Sequence, residues 1–332
     1  DEDRHNYAYV FYGDTFFETS KDPKWAGMGH EMIAFTHYYI VENGESFYLH
    51  AGESVSIEDF EVPRVRHNFK ETSDDKAAWD SLMKAIAEGI SSGEMTKVVS
   101  SREVEFTSET PYNVASILAN LVDNNPNCFI FGYEKDGRTF VGASPEILVR
   151  HRGSEILSYA LAGTAPKDGP NAWTEEQLLT NTKNIIEHNI VRDRIVNTMK
   201  QITPDVTVGG TGIMELSHLY HLRTIITAKD STKSLVEWAK LLHPTPALGG
   251  EPREKALALL QEHESHERGM YAAPFGFMKD MGDGIVVVAI RSALIMDNVL
   301  YAYAGCGVVA DSNADEEYAE TNNKMRTILD AL

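Results

Sequence analysis

Apolar and polar residues recur along this chain with a helical period in some segments and a strand period in others. Apolar residues three and four positions apart predict amphipathic helices. Such helical patterns occupy residues 75–92, 112–123, 173–201, 232–242, 252–262 and 313–331. The polar, acidic residues at 53–75 predict a mobile connecting segment.

Aromatic and β-branched residues also cluster in short runs bounded by Gly, Asn and Asp, a pattern that predicts strands. These runs occupy residues 7–12, 32–41, 46–50, 96–106, 127–133, 138–143, 146–151, 155–161, 213–217, 220–227, 271–278, 284–290, 291–296 and 299–304. Many are joined by short turns, as in antiparallel meanders. Because strands and helices do not alternate strictly, the pattern predicts an α+β fold. We expect two large packed, mainly antiparallel sheets with helices on the outside.

The end of the chain combines a strand, a glycine pair and an acidic helix. After the strand at 299–304, Gly305-Cys306-Gly307 predicts a tight turn whose bare backbone could approach an anion. The pattern G-x-G-x-x-A here does not indicate a dinucleotide site, since only one helix of chain follows it. Within that helix, Glu317, Glu320 and Lys324 share one face. That face is either ordinary solvated surface or part of a binding site.

Composition narrows the class of partner. The 332 residues are 42% hydrophobic and carry a formal net charge of −20. This charge argues against nucleic acid and anionic membrane surfaces as partners, so an anionic ligand would need local cations. Cys128 and Cys306 are far apart and form no C-x-x-C motif, which favours free thiols in the cytoplasm. No apolar run approaches a membrane-spanning length, and a monomer is expected.

Four charged residues lie in or beside apolar patterns. Lys97 heads one predicted strand and Glu146 another, positions that are typical of exposed residues. Glu187 is close to the buried side of its helix, where a carboxylate without a partner is costly. Arg291 interrupts the apolar run VVVAI-R-SALIM, and a guanidinium there requires an anionic partner. The residues alone therefore predict carboxylates for a hard cation and a buried arginine, without naming a reaction.

Eight sequence blocks, taken together and in order, resemble the chorismate-utilising enzymes. The blocks are KVVSSR at 97–102, GASPE at 142–146, LAGTA at 161–165, NIIEHNIV at 184–191, HPTPALGG at 243–250, AIRSAL at 289–294, YAGCGVV at 303–309 and EEYAETNNK at 316–324. The resemblance covers about residues 75–332, the expected catalytic domain. Residues 1–74 resemble only the end of the family's variable N-terminal part, and we expect them to form one unit with the rest.

The resemblance implies a set of catalytic roles. Lys97 is implied as the general base that activates water for attack at C2 of chorismate. Glu146 is implied as the general acid that protonates the departing C4 hydroxyl. The implied cofactor is Mg²⁺, ligated by Glu187 and Glu320 and supported by Glu317 through bound water.

It also implies a set of substrate-binding residues. The residues expected to bind the substrate's carboxylates are Arg291, Gly305, Gly307 and Lys324. The residues expected to line the pocket are Gly163, Thr164 and His221. Ala247 and Leu248 are expected to shape the approach of the nucleophile.

The implied activity is that of an isochorismate synthase, an isomerase that supplies menaquinone or siderophore synthesis. A salicylate synthase is the first alternative, since it shares base, acid and metal and then eliminates pyruvate. Aminating relatives are a second alternative. Those that make aminodeoxychorismate carry Lys at the position of Ala162, and HPTPAL is the water-using version of its block. A non-catalytic chorismate-binding protein is the remaining alternative, although the retained acid, base and metal residues argue against it.

Overall fold

The computed structural model describes residues 9–58, 61–73, 75–279 and 282–332. Residues 7 and 8 of the first predicted strand lie outside these ranges. The described strands are β1 Tyr9–Gly13, β2 Glu31–Ala34, β3 His37–Glu42, β4 Glu45–His50, β5 Phe69–Glu71, β6 Lys97–Ser108, β7 Phe129–Lys135, β8 Arg138–Ser144, β9 Ile147–Arg152, β10 Glu155–Pro166, β11 Val206–Val208, β12 Gly212–Glu215, β13 Leu219–Lys229, β14 Gly250–Glu251, β15 Pro274–Lys279, β16 Gly284–Val288, β17 Ser292–Met296 and β18 Val299–Val308.

Seven α-helices occur in the same described ranges. They are α1 Lys76–Ser91, α2 Val114–Asn124, α3 Glu175–Thr180, α4 Thr182–Lys200, α5 Leu235–Leu242, α6 Arg253–His263 and α7 Ala314–Leu329. None of these helices combines the length and the apolar composition that crossing a membrane requires.

The strands form two large sheets and one separate hairpin. The first sheet has the order β11-β13-β10-β9-β16-β15-β1-β2, with β12 also pairing with β13. The second has the order β14-β6-β18-β17-β8-β7, with β5 also pairing with β6, and β3 pairs with β4 alone. The strand pairs in the described ranges are antiparallel.

Aromatic side chains fill the space between the two sheets. Phe275 of the first sheet lies 4.5 Å, ring centre to ring centre, from Phe131 of the second. Phe11 stacks on Tyr133 across the same interface at 5.0 Å. Helices α4 and α5 cover the outer face of the first sheet, and α2 and α7 that of the second. The predicted α+β sandwich with outer helices is confirmed.

Several predicted elements differ from the structure. The single helix at 173–201 is two helices, because Asn181 adopts an extended backbone (φ −75°, ψ 117°) and its side chain accepts from the backbone N–H of Asn184. Such a side-chain cap competes with continuation of the helix. The strand at 32–41 is divided into β2 and β3. The connecting segment at 53–75 contains the short strand β5.

The predicted turn at Gly305–Gly307 is wrong. Both glycines lie inside β18, which continues to Val308 and pairs with β6 throughout. A Cβ on Gly305 would lie 2.6 Å from Ser100 O and 2.8 Å from Tyr271 Oη. These glycines therefore permit close packing within a strand, a second role of Gly that sequence alone does not separate from a turn.

Candidate active site

One cavity lies between β18, β10, β13 and α4. Ten of the residues implied by the family resemblance line it. These are Glu146, Thr164, Glu187, His221, Ala247, Leu248, Arg291, Gly305, Gly307 and Lys324. Strands, helices and loops that are far apart in the chain thus meet at one place.

Glu146 lies in the connection between β8 and β9 and is only 2% exposed. The expectation of an exposed residue is therefore wrong. Its Oε1 accepts no hydrogen bond from the described residues. Burial raises the pKa of Glu146 to about 8, although the positive charges of Lys97, Arg291 and Lys324 act in the opposite direction. Near neutral pH this group is predominantly a protonated acid, and it faces the cavity.

Arg291 occupies the connection from β16 to β17 with a positive φ of 52°, not the strand position predicted. Its Nη2 donates to His221 Nε2 over 2.6 Å. The pKa of His221 is lowered by burial, by Arg291 and by Lys324, which favours the neutral imidazole that can accept this bond. The other ring nitrogen, Nδ1, is 3.0 Å from Thr164 Oγ1.

The guanidinium of Arg291 makes no ion pair with a carboxylate of the described residues, and its Nε is buried without a hydrogen-bond partner in the same part of the chain. The structure therefore presents a cation with unused donors at the cavity wall. This arrangement suits an anionic ligand, as the sequence predicted.

Lys97 is fully buried at the start of β6, so the expectation of a surface lysine is also wrong. Its Nζ lies 3.1 Å from Glu187 Oε1, at an angle outside that of a hydrogen bond. A Cβ on Gly307 would clash with both side chains. Glycine at this position therefore allows Lys97 and Glu187 to meet beneath β18. Glu187 and Gly307 line the cavity, and Lys97 lies directly behind them.

A second, acidic groove adjoins the cavity at Thr164. Helix α7 contributes Glu317 and Glu320 to this groove, and α4 contributes Lys183. Lys183 Nζ is 2.5 Å from Glu317 Oε1, and Lys324 Nζ is 2.6 Å from Glu320 Oε1. The pKa of Glu317, which is 2% exposed, is raised by burial and by the like charge of Glu320.

The three predicted metal ligands have the donor chemistry of a Mg²⁺ site. Glu317 pairs with the Lys183 ammonium, and the negative charges of Glu320 and Glu187 also act on it. Carboxylate oxygens are the donors that Mg²⁺ prefers. Within the described ranges, no three acidic, histidine or cysteine side chains are already gathered around a single ion position. The carboxylates are instead paired with lysines.

Gly163 lies just outside the cavity wall. It occupies an irregularity of β10 with φ 81°, and a Cβ there would lie 3.0 Å from Asn184 O. Thr164 N donates to Asn184 Oδ1 over 3.0 Å. The β10 irregularity is therefore fitted against α4, which carries Glu187.

Several side chains that surround these residues were not predicted from the sequence. They are Lys183, Asn184, Arg268 and Tyr271. Asn184 and Lys183 precede Glu187 by three and four positions, so they share its helix face, a spacing that could have indicated them. Arg268 and Tyr271 lie in an irregular connection, where no period indicates which side chains are buried.

Comparison with known proteins finds relatives that are named as isochorismate synthases. Isochorismate synthase MenF of Bacillus subtilis is 36% identical over 264 residues, which cover 78% of this chain and 56% of that protein. Isochorismate synthase DhbC of the same organism is 32% identical over 258 residues, covering 73% of this chain and 64% of the relative. The matched part thus spans less than two thirds of either relative.

Comparison with solved structures also finds an isochorismate synthase. The menaquinone-specific isochorismate synthase MenF of Escherichia coli superimposes with a TM-score of 0.82 at 25% identity, covering 99% of this chain and 80% of the other. The family model described as "Chorismate binding enzyme" matches residues 53–332. That match takes in both glycine-bearing β18 and the acidic helix α7, and the chain belongs to the chorismate-binding enzyme family.

Proposed function

We propose that this chain is an isochorismate synthase, which converts chorismate into isochorismate by adding water at C2 and releasing the C4 hydroxyl. The observation that carries the proposal is the burial of Glu146, an acid with a pKa of about 8, in the cavity that Arg291 and Lys324 also line. The cations at the wall of this cavity suit a dianionic ligand. The two Bacillus subtilis relatives named as isochorismate synthases support the same activity.

The proposed base and acid act at different carbons of the substrate ring, C2 and C4. Lys97 takes a proton from the water that attacks C2. Glu146 gives its proton to the C4 oxygen, which leaves as water while the ring double bonds shift. Both groups are buried, and burial favours the neutral form of Glu146, the state that its role as an acid requires.

We propose that Arg291 and Lys324 bind the carboxylates of chorismate. We further propose that Glu187 and Glu320 hold Mg²⁺ directly and that Glu317 supports it through water. Bound Mg²⁺ would supply a positive charge that neutralises the ring carboxylate. A strongly acidic protein could then accept a dianionic substrate. The proposed destination of the product is menaquinone synthesis, the pathway for which the Escherichia coli MenF is specific.

Product identification tests this proposal. The purified chain is incubated with chorismate and Mg²⁺, with and without ammonium, and the products are separated by chromatography. We expect isochorismate, and we expect chelation of Mg²⁺ to stop its formation. Lys97→Ala and Glu146→Gln should each lower kcat by about 10²–10⁴-fold with the fold intact, the range typical of acid–base groups.

Circular dichroism and the unfolding temperature serve as controls for folding. Salicylate with pyruvate would identify a salicylate synthase instead, and an amine formed only with ammonium would identify an aminating enzyme. No turnover would leave a chorismate-binding protein without this activity. Near-normal kcat in either variant would remove that residue from its proposed role.

A further inference from the structure

His218 lies outside the cavity, in the connection between β12 and β13, and its ring is placed between carboxylates of two other elements. Its Nδ1 is 2.8 Å from Oδ2 of Asp168, which lies in the connection between β10 and α3. Its Nε2 is 2.8 Å from Oδ2 of Asp330, which directly follows α7. Arg326 of α7 donates through Nη1 to the other carboxylate oxygen of Asp168 over 2.8 Å. We call these four side chains the His218 clasp.

The charges within the His218 clasp are complementary. Hydrogen bonds from Arg326 and His218 lower the pKa of Asp168, so this side chain remains a carboxylate near neutral pH. Because a carboxylate only accepts hydrogen bonds, His218 satisfies both acids when each of its ring nitrogens carries a proton. Two anions then alternate with two cations. Such a network contributes to stability where an isolated ion pair at the surface contributes little.

The clasp joins the two layers that carry the proposed metal ligands. Asp168 and His218 adjoin β10 and β13 of the first sheet, on which α4 packs with Glu187. The other two clasp residues belong to the end of α7, which packs on β18 of the second sheet and carries Glu320. Glu187 and Glu320, the two proposed direct ligands, therefore come from different layers, and the clasp connects these layers outside the proposed metal site.

The clasp also lies at one end of the acidic groove. Helix α7 forms one wall of this groove with Glu320 and Asn323, and the connection between β10 and α3 forms another wall with Pro166 and Trp173. Arg326 follows Asn323 by three positions, so it continues the same face of α7. The clasp therefore ties the two walls of the groove together just beyond Asn323.

We infer that His218 is a positioning residue for Mg²⁺ binding: by tying α7 to the connection between β10 and α3, it fixes the separation of Glu320 from Glu187. The inference rests on the proposed function, which makes these two carboxylates ligands of one ion. The ion pair between Lys183 and Glu317 also joins α4 to α7, but Glu317 is itself one of the proposed metal residues. The clasp, in contrast, acts on the affinity for Mg²⁺ without contacting the ion.

The test variants are His218→Ala and Asp168→Asn, with Lys167→Gln as the matched control. Lys167 lies in the same connection as Asp168, but its ion pair is with Glu215 of β12 in the first sheet. Isothermal titration calorimetry without chorismate measures Mg²⁺ binding to each purified protein. We expect Kd for Mg²⁺ to rise about fivefold in each test variant and to keep the parent value in the control. Because both substitutions release the same clasp, the double variant should bind Mg²⁺ about as weakly as the weaker single variant.

Quenching of tryptophan fluorescence by acrylamide gives a readout that needs neither Mg²⁺ nor turnover. Of the four tryptophans, Trp25, Trp79 and Trp238 are at most 2% exposed, whereas Trp173 lines the groove. Quenching therefore reports mainly on the groove wall that the clasp holds. We expect the Stern–Volmer constant to increase about twofold in both test variants, because release of the clasp lets this wall open locally. The control should be quenched like the parent protein.

The outcomes separate the inference from the proposed function. Circular dichroism checks folding, and if one test variant does not fold, the other decides. Unchanged Kd for Mg²⁺ or unchanged quenching in a folded test variant would overturn the inference, and so would an equal change in the control. A parent protein that does not bind Mg²⁺ would overturn the inference together with the proposed metal site. A parent protein that binds Mg²⁺ but leaves chorismate unconverted would refute the proposed activity alone.

Discussion

At the scale of single residues, burial decides what the charged side chains can do. Glu146 and Lys97 both occupy positions where a sequence pattern predicts exposure, yet both are buried. For Glu146, loss of hydration outweighs the attraction of three cations, and its pKa rises to about 8. A carboxyl group that keeps its proton near neutral pH can serve as an acid, which an exposed glutamate cannot.

The raised pKa predicts the pH dependence of activity. As pH rises through about 8, Glu146 loses its proton, so kcat/KM for chorismate should fall with the protonated fraction. This alkaline limb should be absent from the residual activity of Glu146→Gln. Steady-state kinetics from about pH 6 to about pH 10, in steps of about half a pH unit, give both profiles. If kcat/KM of the variant falls at the same pH, a group other than Glu146 causes the fall.

The stability of the folded protein should also depend on the protonation of Glu146. The folded-state pKa of Glu146 lies above its ordinary value of 4.5, so its proton stabilises the folded state at low pH. That contribution declines above 4.5 and is lost as pH rises through about 8. As pH rises from 4.5 to about 8, the free energy of unfolding should therefore fall less in Glu146→Gln than in the parent protein. Denaturant unfolding at a series of pH values measures this difference.

At the scale of elements, the break between α3 and α4 is tied to the site. Asn181 Oδ1 accepts from Asn184 N over 3.0 Å and from Asn184 Nδ2 over 2.9 Å. Asn184 Oδ1 in turn accepts from Thr164 N. The Asn181 cap therefore orients the side chain of Asn184, which holds Thr164 at the cavity. The same cap begins α4, the helix that carries Glu187.

Asn181→Ala should consequently affect both stability and activity. Loss of the cap should cost about 1 kcal/mol of unfolding free energy and lower Tm by about 2 °C. Because Asn184 and Thr164 lose their fixed orientation, kcat/KM should fall about tenfold, or about 1.4 kcal/mol. Thermal unfolding and steady-state kinetics measure the two effects.

Asn113→Ala is the matched control, since Asn113 caps α2 through Ser116 N over 2.9 Å on the outer face of the second sheet. It should lower Tm by a similar amount and leave kcat/KM unchanged. Equal kinetic losses in the two variants would mean that the cap acts through general stability alone.

At the scale of the whole molecule, the sequence predicted the two-sheet fold and most of its strands, because alternation and turn residues are local signals. It missed features that arise only from packing. The glycines of β18 were interpreted as a turn because their function, room for Glu187 and Lys97, depends on residues far away in the chain. Arg268 and Tyr271 were missed for the same reason.

The candidate site was identified mainly from family resemblance. Spacing grouped Glu317, Glu320 and Lys324 on one helix face, but it could not bring Glu146 to the same cavity as Arg291. Contacts between residues far apart in the chain build the site, such as Arg291–His221 and Lys97–Glu187, and periodicity carries no information about them.

In the proposed reaction, water from solvent adds at C2 of chorismate within this cavity and the C4 hydroxyl is released. Turnover in H₂¹⁸O, followed by mass spectrometry of the product, tests it most directly. We expect isochorismate with one ¹⁸O, located on the new C2 hydroxyl, and we expect the original C4 oxygen to leave as unlabelled water. Isochorismate without ¹⁸O would show that the hydroxyl moves within the substrate, and would contradict the proposed roles of Lys97 and Glu146.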